Sequence, residues 1–214
     1  MRDGTSTSDG PRVDRRRART RAALLAAAER LIVDGSAATA TIQQITDAAD
    51  VGFGSFYNHF TSKEELFQAA TAHVLEEWAR LIDAAVADAE DPATRFALSF
   101  RISARLAWTH PALADVLNRF GLDLLDLEDG LAPRALRDLT DAMTAGRFTV
   151  THLPLALSTV GGSLLGFLRL RSSHPDLVAV DDVEELTGQL LRMLGLDAAE
   201  AARLCALPLP HLDA

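Results

Sequence analysis

Residues 41–60 read TIQQITDAADVGFGSFYNHF and hold two short apolar patterns on either side of a tight turn. Thr41 is a favourable helix N-cap, and isoleucine and alanine side chains recur after it on one helical face. Residues 50–52 interrupt this pattern, and a second helical pattern follows over 53–60. The stretch therefore predicts a helix, a tight turn and a short second helix.

Two helices joined in this way form a helix-turn-helix, in which apolar residues lock the pair and the second helix offers its outer face to the DNA major groove. The locking positions are Ile42, Ile45, Ala49, Val51, Phe56 and Phe60. The outer positions of the second helix are Phe53, Gly54, Ser55, Tyr57, Asn58 and His59. We therefore predict that this region binds double-stranded DNA.

The motif also resembles the DNA-reading domain of the TetR family of transcriptional regulators (TetR/AcrR type). The resemblance rests on residues 41–45, 48–51 and 54–60 and on Ser62-Lys63. It implies an all-helical homodimer with an N-terminal reader domain and a divergent body that binds an inducer. On matching positions it implies phosphate contacts from Thr41, Tyr57, His59 and Lys63, and base-edge candidates at Gln43, Phe53, Ser55 and Asn58. Independently of the resemblance, the missing side chain of Gly54 would allow a close approach of the backbone to DNA.

Phe53 departs from the family pattern, because members often carry a basic or polar residue at this position. Gly52 departs as well, since a serine is usual there. A phenylalanine cannot hydrogen-bond a base edge, but it can pack against the methyl group of thymine. We therefore expect part of the operator selectivity to come from thymine contacts near Phe53, which a comparison of thymine with uracil at those positions would test.

The net charge of −9 argues at first against nucleic acid, so the distribution of charge matters more than its sum. Residues 1–65 carry nine basic and nine acidic residues, whereas residues 66–214 carry twelve and twenty-one. Between Pro11 and Arg21, six arginines face a single acidic residue, Asp14. Such a cluster can neutralise phosphates or remain a solvated tail, and the sequence leaves both alternatives open.

The rest of the chain also reads as helix, so the predicted fold is all-α. We predict three regions: a flexible basic arm over 1–17, a helix-turn-helix DNA-binding domain over 18–65, and a helical ligand-binding and dimerisation domain over 66–214. The first helix is predicted at about 18–33 and the fourth at about 63–89, and Pro92, Pro111 and Pro133 mark further helix starts. Later helices are predicted near 153–171, 182–194 and 197–205.

A dimer is expected, because a single helix-turn-helix covers too few base pairs and a two-fold dimer matches a palindromic site. The predicted dimer contacts are the two apolar helices near 153–171 and 182–194. Leu153–Leu168 is read as a buried helix, because its 16 residues fall short of a membrane span. The interface candidates are Gly162, Leu165, Gly166, Leu186, Leu190 and Met193.

A small-molecule pocket is expected among large side chains of the middle helices, because such sites are mostly apolar with a few polar groups. The candidates are Trp78, Phe96, Phe100, Arg105, Trp108, Phe120, Met143 and Phe167, with Arg101, His110 and Asn118 as weaker polar ones. Aromatic residues at helical spacing are nevertheless more often core than pocket. We expect an apolar or amphipathic inducer.

The remaining functional classes have little support. His73 and Glu77 are too few for a metal site, and we expect neither a metal nor a cofactor. No catalytic motif supports the alternative of a helical enzyme or carrier, and the single Cys205 and the N-terminus favour a bacterial cytoplasm over secretion and over a membrane protein. The prediction is a DNA-binding repressor released from a palindromic operator by an inducer. A regulator that acts through a protein partner without a ligand remains the other alternative.

Overall fold

The computed structural model describes residues 10–122 and 129–212. Within these ranges all regular structure is helical, which confirms the predicted all-α fold. The helices are α1 (Gly10–Val33), α2 (Ile42–Ala48), α3 (Phe53–Phe56), α4 (Lys63–Ala85), α5 (Pro92–Thr109), α6 (Pro111–Phe120), α7 (Leu131–Thr144), α8 (Leu153–Ser173), α9 (Asp182–Met193) and α10 (Ala198–Cys205), with a 3₁₀ turn at Pro175–Leu177. The chain divides into two compact units, Met1–Thr71 (the first unit) and Ala72–Ala214 (the second unit).

The first unit contains α1, α2, α3 and the beginning of α4. Its fully buried side chains come from every one of these helices, with Leu24, Ile45, Phe56, Phe60 and Leu66 all at 1% exposure or less. Each such side chain contributes about 1.5–3 kcal/mol by leaving water. A core of this kind holds a short helix such as α3, which is too short to be stable alone.

The first helix is longer than the sequence predicted. Helix α1 begins at Gly10 rather than near residue 18, so the prediction of an irregular arm is wrong for residues 10–17. Residues 10–17 contain four arginines, which have high helix propensity, and Pro11 lies in the first turn where it is tolerated. The predicted flexible tail at residues 1–9 lies outside the described residues.

The second unit is built around α5, which packs against α6, α7, α8, α9 and α10. One apolar cluster joins α5 to the late helices and includes Phe96, Phe100 and Leu191. A second cluster joins α4, α5 and α6 and includes Trp78 and Leu106. Because α5 contributes to both clusters, it is the central helix of this unit.

Helix α8 differs from its predicted burial. Only Ala156, Val160, Phe167 and Leu168 are buried, and Leu155 is 63% exposed. Among the described residues, α8 is the one helix with the length and apolar composition of a membrane span, a test that the core helix of a soluble protein also passes. Its apolar outer face therefore needs an explanation other than burial within one chain.

Two helix boundaries also differ from prediction. Helix α4 ends at Ala85, and residues 86–88 form a turn instead of continuing the helix to 89. Helix α7 begins at Leu131, two residues before the proline that was expected to start it, with Gly130 before it at a φ of 96°. A positive φ is available to glycine at little cost, so Gly130 allows the chain to enter the helix earlier.

Candidate nucleic-acid interface and ligand cavity

The turn of the helix-turn-helix is held by backbone and side-chain hydrogen bonds at both ends of α2. At its start, the Thr41 hydroxyl accepts from the Gln44 amide at 3.2 Å, and the Gln44 side chain accepts from the Thr41 amide at 2.8 Å. At its end, Asp50 adopts a φ of 53°, and the Val51 amide donates to the Thr46 carbonyl at 3.0 Å. This left-handed residue ends α2 and aims the chain into α3.

Burial separates the residues of α3 and its continuation into two groups. Phe56 and Phe60 are buried, whereas Phe53 is 47% and Tyr57 55% exposed. The rings of Phe53 and Tyr57 pack edge to face with centroids 5.9 Å apart. Large aromatic side chains are rarely exposed without a partner, so this braced pair is suited to contact a second molecule.

The remaining residues that were predicted to contact DNA are either exposed or half-buried. The exposed ones are Thr41, Gln43, Gly54 and Asn58, and the half-buried ones are Ser55, His59 and Lys63. A Cβ atom built on Gly54 would meet nothing within 4 Å, so the fold of the chain itself does not require glycine there.

Several of these polar side chains already have partners within the chain. The Gln43 amide donates to Asp47 at 2.7 Å, and the Lys63 ammonium donates to the carbonyls of Ala40 at 2.8 Å and Ala38 at 3.3 Å. Lys63 thus fastens the start of α4 to the loop between α1 and α2. Sequence reasoning assigned Lys63 to phosphate binding alone and missed this bracing contact.

Two arginines of α1 lie beside the end of the helix-turn-helix. Arg17 donates to the Asn58 carbonyl at 3.4 Å, and the Arg21 guanidinium lies 5.1 Å from the centre of the Phe60 ring. Partial burial, followed by the positive charges of Arg17 and Arg21, lowers the pKa of His59 below its ordinary value of 6.5. His59 is therefore neutral at neutral pH in the free protein.

The second unit contains a cavity of about 90 Å³. Its walls are mostly apolar and come from α4 to α8, with Phe96 and Phe100 of α5, Ile82 of α4 and Leu164 of α8 among them. The polar side chains that line it are Asp83, Ser99, Ser103, Asp129, Arg134 and Asp138. An apolar cavity with a few convergent polar groups is the usual form of a small-molecule site.

The polar wall belongs to a continuous series of ion pairs, which we call the charge ladder. It joins α5, α7 and α4 in the order Arg95, Asp138, Arg137, Asp83, Arg134 and Glu76. The separations between charged atoms are 3.5, 2.9, 2.8, 2.7 and 2.7 Å along this order. Because each inner member has two partners of opposite sign, the ladder neutralises charges that are costly to bury alone.

Asp138 is the most buried member of the charge ladder, with a side chain only 3% exposed. Burial raises its pKa, although hydrogen bonds from Arg137 and the charge of Arg95 oppose this effect. Every hydrogen bond that the structure shows to Asp138 reaches its Oδ1 atom. The Oδ2 atom of a residue that lines the cavity is thus left to accept from a ligand.

Asp83 is also partly buried, but its pKa is shifted in the opposite direction from that of Asp138. Desolvation raises its pKa, and the hydrogen bonds from Arg137 and Arg134 outweigh that effect, so that the pKa is lowered. Asp83 is therefore ionised at neutral pH, and it holds the arginines of α7 against α4.

Of the predicted pocket residues, the structure brings Phe96 and Phe100 to the cavity. Trp78, Met143 and Phe167 belong to or pack against the two apolar clusters, and Trp108 lies against Phe167. Arg105 donates to Glu184 at 2.8 Å and does not line the cavity. The Phe120 side chain lies outside the described residues. More large side chains were predicted to line the cavity than do so, because aromatic side chains at helical spacing generally fill a core.

Sequence reasoning missed the acidic and basic residues of the cavity. Asp138 offered a signal, because it lies three residues after Ala135 and four before Ala142, on the core face of α7. A carboxylate on the apolar face of an amphipathic helix needs a partner or a function. Asp83 and Glu76 offered no comparable signal, since their partners are about fifty residues away in sequence.

Comparisons with known proteins agree with this geometry. Residues 24–70 match the family described as "Bacterial regulatory proteins, tetR family", and residues 91–206 match "Tetracyclin repressor-like, C-terminal domain". The chain is 29% identical over 152 residues to the HTH-type transcriptional repressor DhaR of Mycobacterium sp. (strain GP1), which covers 71% of each protein.

Two crystal structures of RolR have the same fold. The complex of RolR with the ligand resorcinol matches 94% of this chain and 100% of that one, with 32% identity and a TM-score of 0.80. RolR without ligand matches 90% and 100%, with 30% identity and a TM-score of 0.76. With its helix-turn-helix and its helical second unit, the chain belongs to the tetR family of bacterial regulatory proteins and is a DNA-binding transcriptional regulator.

Proposed function

We propose that the protein is a cytoplasmic homodimeric repressor that binds a palindromic operator and is released by a small, uncharged aromatic alcohol bound in the cavity. The observation that carries the ligand class is the Oδ2 atom of Asp138, which accepts none of the hydrogen bonds seen within the described residues, in a mostly apolar cavity that Asp83 and Arg134 also line. An aromatic ring suits the apolar walls, and a ligand hydroxyl group can donate to the Asp138 carboxylate. The resorcinol complex of RolR supports a dihydroxybenzene as the first ligand to test.

The charges of the cavity favour a neutral ligand over an aromatic acid. Among the described lining residues, Asp83, Asp129 and Asp138 are acidic and Arg134 alone is basic. Arg134 already donates to Glu76, to Asp83 and to the Gly130 carbonyl. A ligand carboxylate would therefore meet like charges without a free cation to offset its desolvation.

The dimer is proposed to form through the outer face of α8 together with α9. Leu155 and Leu170 are 63% and 41% exposed on α8, and Met193 is 46% exposed at the end of α9. Cβ atoms built on Gly162 and Gly166 would meet nothing within 4 Å, so this chain gives no reason for glycine at either position. Close approach of a second helix would supply one.

Not every predicted interface residue fits that surface. Leu190 is 4% exposed and packs in the first apolar cluster, where Leu186 also packs. Leu165 is half-buried and lines the cavity. The proposed surface therefore keeps Gly162, Gly166 and Met193 and adds Leu155 and Leu170. Sedimentation at micromolar concentration should give a dimer, and Gly166→Arg should shift it toward monomer.

Release of DNA follows from linkage if the ligand prefers the DNA-free form. The factor by which the ligand weakens operator binding must equal the factor by which DNA weakens ligand binding. Equal affinity of the ligand for the free and the DNA-bound protein would rule this mechanism out.

The test is calorimetric titration with resorcinol, phenol and 3-hydroxybenzoate. We expect resorcinol to bind best and the benzoate to bind worst. Asp138→Asn, which removes the negative acceptor, should weaken resorcinol binding by about tenfold to a hundredfold, the range for a hydrogen bond to a charged group. Asp141→Asn is the matched control, because Asp141 lies on the same helix and pairs with Arg95 without lining the cavity. Equal losses in both variants, or tighter binding of the benzoate, would contradict the proposed ligand class.

A further inference from the structure

The start of α3 carries a single side chain. Gly52 precedes the helix, Phe53 is its first residue and Gly54 follows. A Cβ atom on Gly54 would meet nothing within 4 Å, and one on Gly52 would meet only the Ser55 hydroxyl at 3.9 Å. The N-terminal residues of a recognition helix are the ones that contact base edges in the major groove. The Phe53 ring is 47% exposed at this position, with no side chain on either adjacent residue.

The Phe53 ring is connected to the buried core through other rings. It packs edge to face with Tyr57, with 5.9 Å between centroids and 69° between planes. Tyr57 packs in the same way against the buried Phe56, at 5.3 Å and 79°. Such pairs favour one mutual orientation of the rings. The exposed ring is therefore ordered before DNA is bound, so less conformational entropy is lost on binding.

Two of the hydrogen-bonding candidates for base reading are less available than Phe53. The Gln43 side-chain amide donates to Asp47 at 2.7 Å, and Ser55 is half-buried. Asn58 is exposed. Phe53 and Asn58 are thus the base-reading candidates that are exposed and not hydrogen-bonded to another side chain in the described residues, and one of the two is apolar.

A phenyl ring distinguishes pyrimidines by one feature of their major-groove edge. Thymine presents the O4 acceptor and the C5 methyl group, whereas cytosine presents the N4 donor and no methyl group. The ring has no polar atom with which to donate to O4 or accept from N4, so it gains from the methyl group alone. 5-Methylcytosine carries the same methyl group on the same carbon. A ring that responds to this group therefore treats 5-methylcytosine and thymine alike.

We propose that Phe53 is a specificity-determining residue that contacts the C5 methyl group of a pyrimidine, so that methylation of a cytosine at this position strengthens DNA binding as a thymine does. The inference goes beyond the proposed function, because it adds a modified base to those that the protein recognises. It rests on DNA binding by the helix-turn-helix and is independent of the inducer. Burial of one methyl group corresponds to about a fourfold change in affinity for each half-site.

The probes are DNA duplexes that the wild-type protein selects from a random pool. Fluorescence anisotropy at low salt, where weak binding is also measurable, compares a selected duplex with versions in which single thymines are replaced by uracil. At the position with the largest loss, cytosine and 5-methylcytosine are then compared, each paired with guanine.

The test variant is Phe53→Gln, which replaces the ring with a hydrogen-bonding side chain at an exposed position. Tyr57→Phe is the matched control, because it keeps the ring beside Phe53 and removes only a hydroxyl group that was predicted to contact phosphate. Thermal unfolding of all three proteins checks that each is folded.

We expect uracil to bind about fourfold more weakly than thymine, and 5-methylcytosine about fourfold more tightly than cytosine. Both ratios should fall to about one in Phe53→Gln. They should stay unchanged in Tyr57→Phe, whose affinity should fall equally for all four bases because a phosphate contact carries no sequence information.

Three results would overturn the proposal. They are equal affinities for thymine and uracil at every position, ratios that persist in Phe53→Gln, and a 5-methylcytosine duplex that binds no better than the cytosine duplex. The measurement uses no inducer, so its failure is distinct from a failure of the proposed ligand class.

Discussion

The two units of the chain handle their charged side chains in opposite ways. In the first unit the α1 arginines from Arg15 onward are exposed on the surface, and the buried residues of the helix-turn-helix are almost all apolar. In the second unit α4, α5 and α7 bring charged side chains together beside a cavity, where each is neutralised by neighbours. Solvated charges attract a polyanion and respond to salt, whereas partly buried pairs are screened much less. The difference separates binding to DNA from recognition of a small molecule.

The largest expected effect is on the stability of the apolar core of the first unit. Phe56→Ala removes a side chain of zero exposure from the core of the first unit, and we expect a loss of about 3–5 kcal/mol of unfolding free energy. Phe53→Ala is the matched control, since Phe53 is 47% exposed and its loss should change stability by less than about 0.5 kcal/mol. Denaturant unfolding measures both. Comparable destabilisation by the two variants would show that Phe53 is a core residue and not a contact residue.

The next effect concerns the charge ladder. Arg137→Ala removes the nearest partner of the buried Asp138 carboxylate, and we expect a loss of about 2 kcal/mol at neutral pH, less than for a fully buried pair because Arg137 is 43% exposed. The pKa of Asp138 is already raised by burial, and the variant raises it further. Arg203→Ala, which breaks an exposed pair with Glu200, should cost less than about 1 kcal/mol.

The same variant has a defined pH dependence. A carboxyl group whose pKa is higher in the folded than in the unfolded protein binds a proton on folding, so the stability falls as the pH rises between the two pKa values. The destabilisation by Arg137→Ala should therefore shrink as the pH falls through the raised pKa of Asp138. A loss that is constant over the acid range would show that Asp138 does not titrate in this way.

A smaller effect is expected at Gly54. Gly54→Ala adds a methyl group that meets no atom of the chain, and alanine stabilises a helix by up to about 1 kcal/mol relative to glycine. If DNA approaches the backbone there, the same methyl group should weaken operator binding by about tenfold, in the lower range for overpacked contacts. Unfolding and anisotropy measurements would separate the two effects. Unchanged DNA affinity would remove Gly54 from the interface.

The smallest expected effect is that of pH on DNA binding. Burial, Arg17 and Arg21 keep the pKa of His59 below 6.5 in the free protein, and nearby phosphates would raise it in the complex. Protons are then taken up on binding, so the affinity should rise as the pH falls from 7.5 to 6. In His59→Gln the affinity should vary less with pH over this interval.

The sequence predicted the first unit more completely than the second for a physical reason. The helix-turn-helix is defined by neighbours in sequence, and its buried Ile45, Phe56 and Phe60 follow the helical period. The length of α1 was missed because residues 10–17 are mostly polar and carry no apolar periodicity, although their four arginines favour helix. Local patterns thus recovered the DNA-binding motif and the all-helical fold.

The cavity could not be read from the sequence in the same way. Asp83 of α4 meets Arg134 and Arg137 of α7 across about fifty residues, and no local pattern encodes that contact. The aromatic side chains that were expected to form a pocket mostly fill the two apolar clusters. The large side chains of the middle helices predicted an apolar or amphipathic inducer, but the position of the charged side chains of the cavity depends on the packing of α4, α5 and α7.

The charge ladder has a consequence for how the ligand range of such a protein can be altered. A change at Asp83, Arg134 or Asp138 leaves a neighbour with an unbalanced charge, so single substitutions there combine a new specificity with a loss of stability. The apolar wall carries no charge to unbalance, and its small members Ala79, Ala132 and Ala135 line the cavity. For the proposed aromatic alcohol, variants at these alanines would alter the shape of the cavity while the charged side chains stay in place.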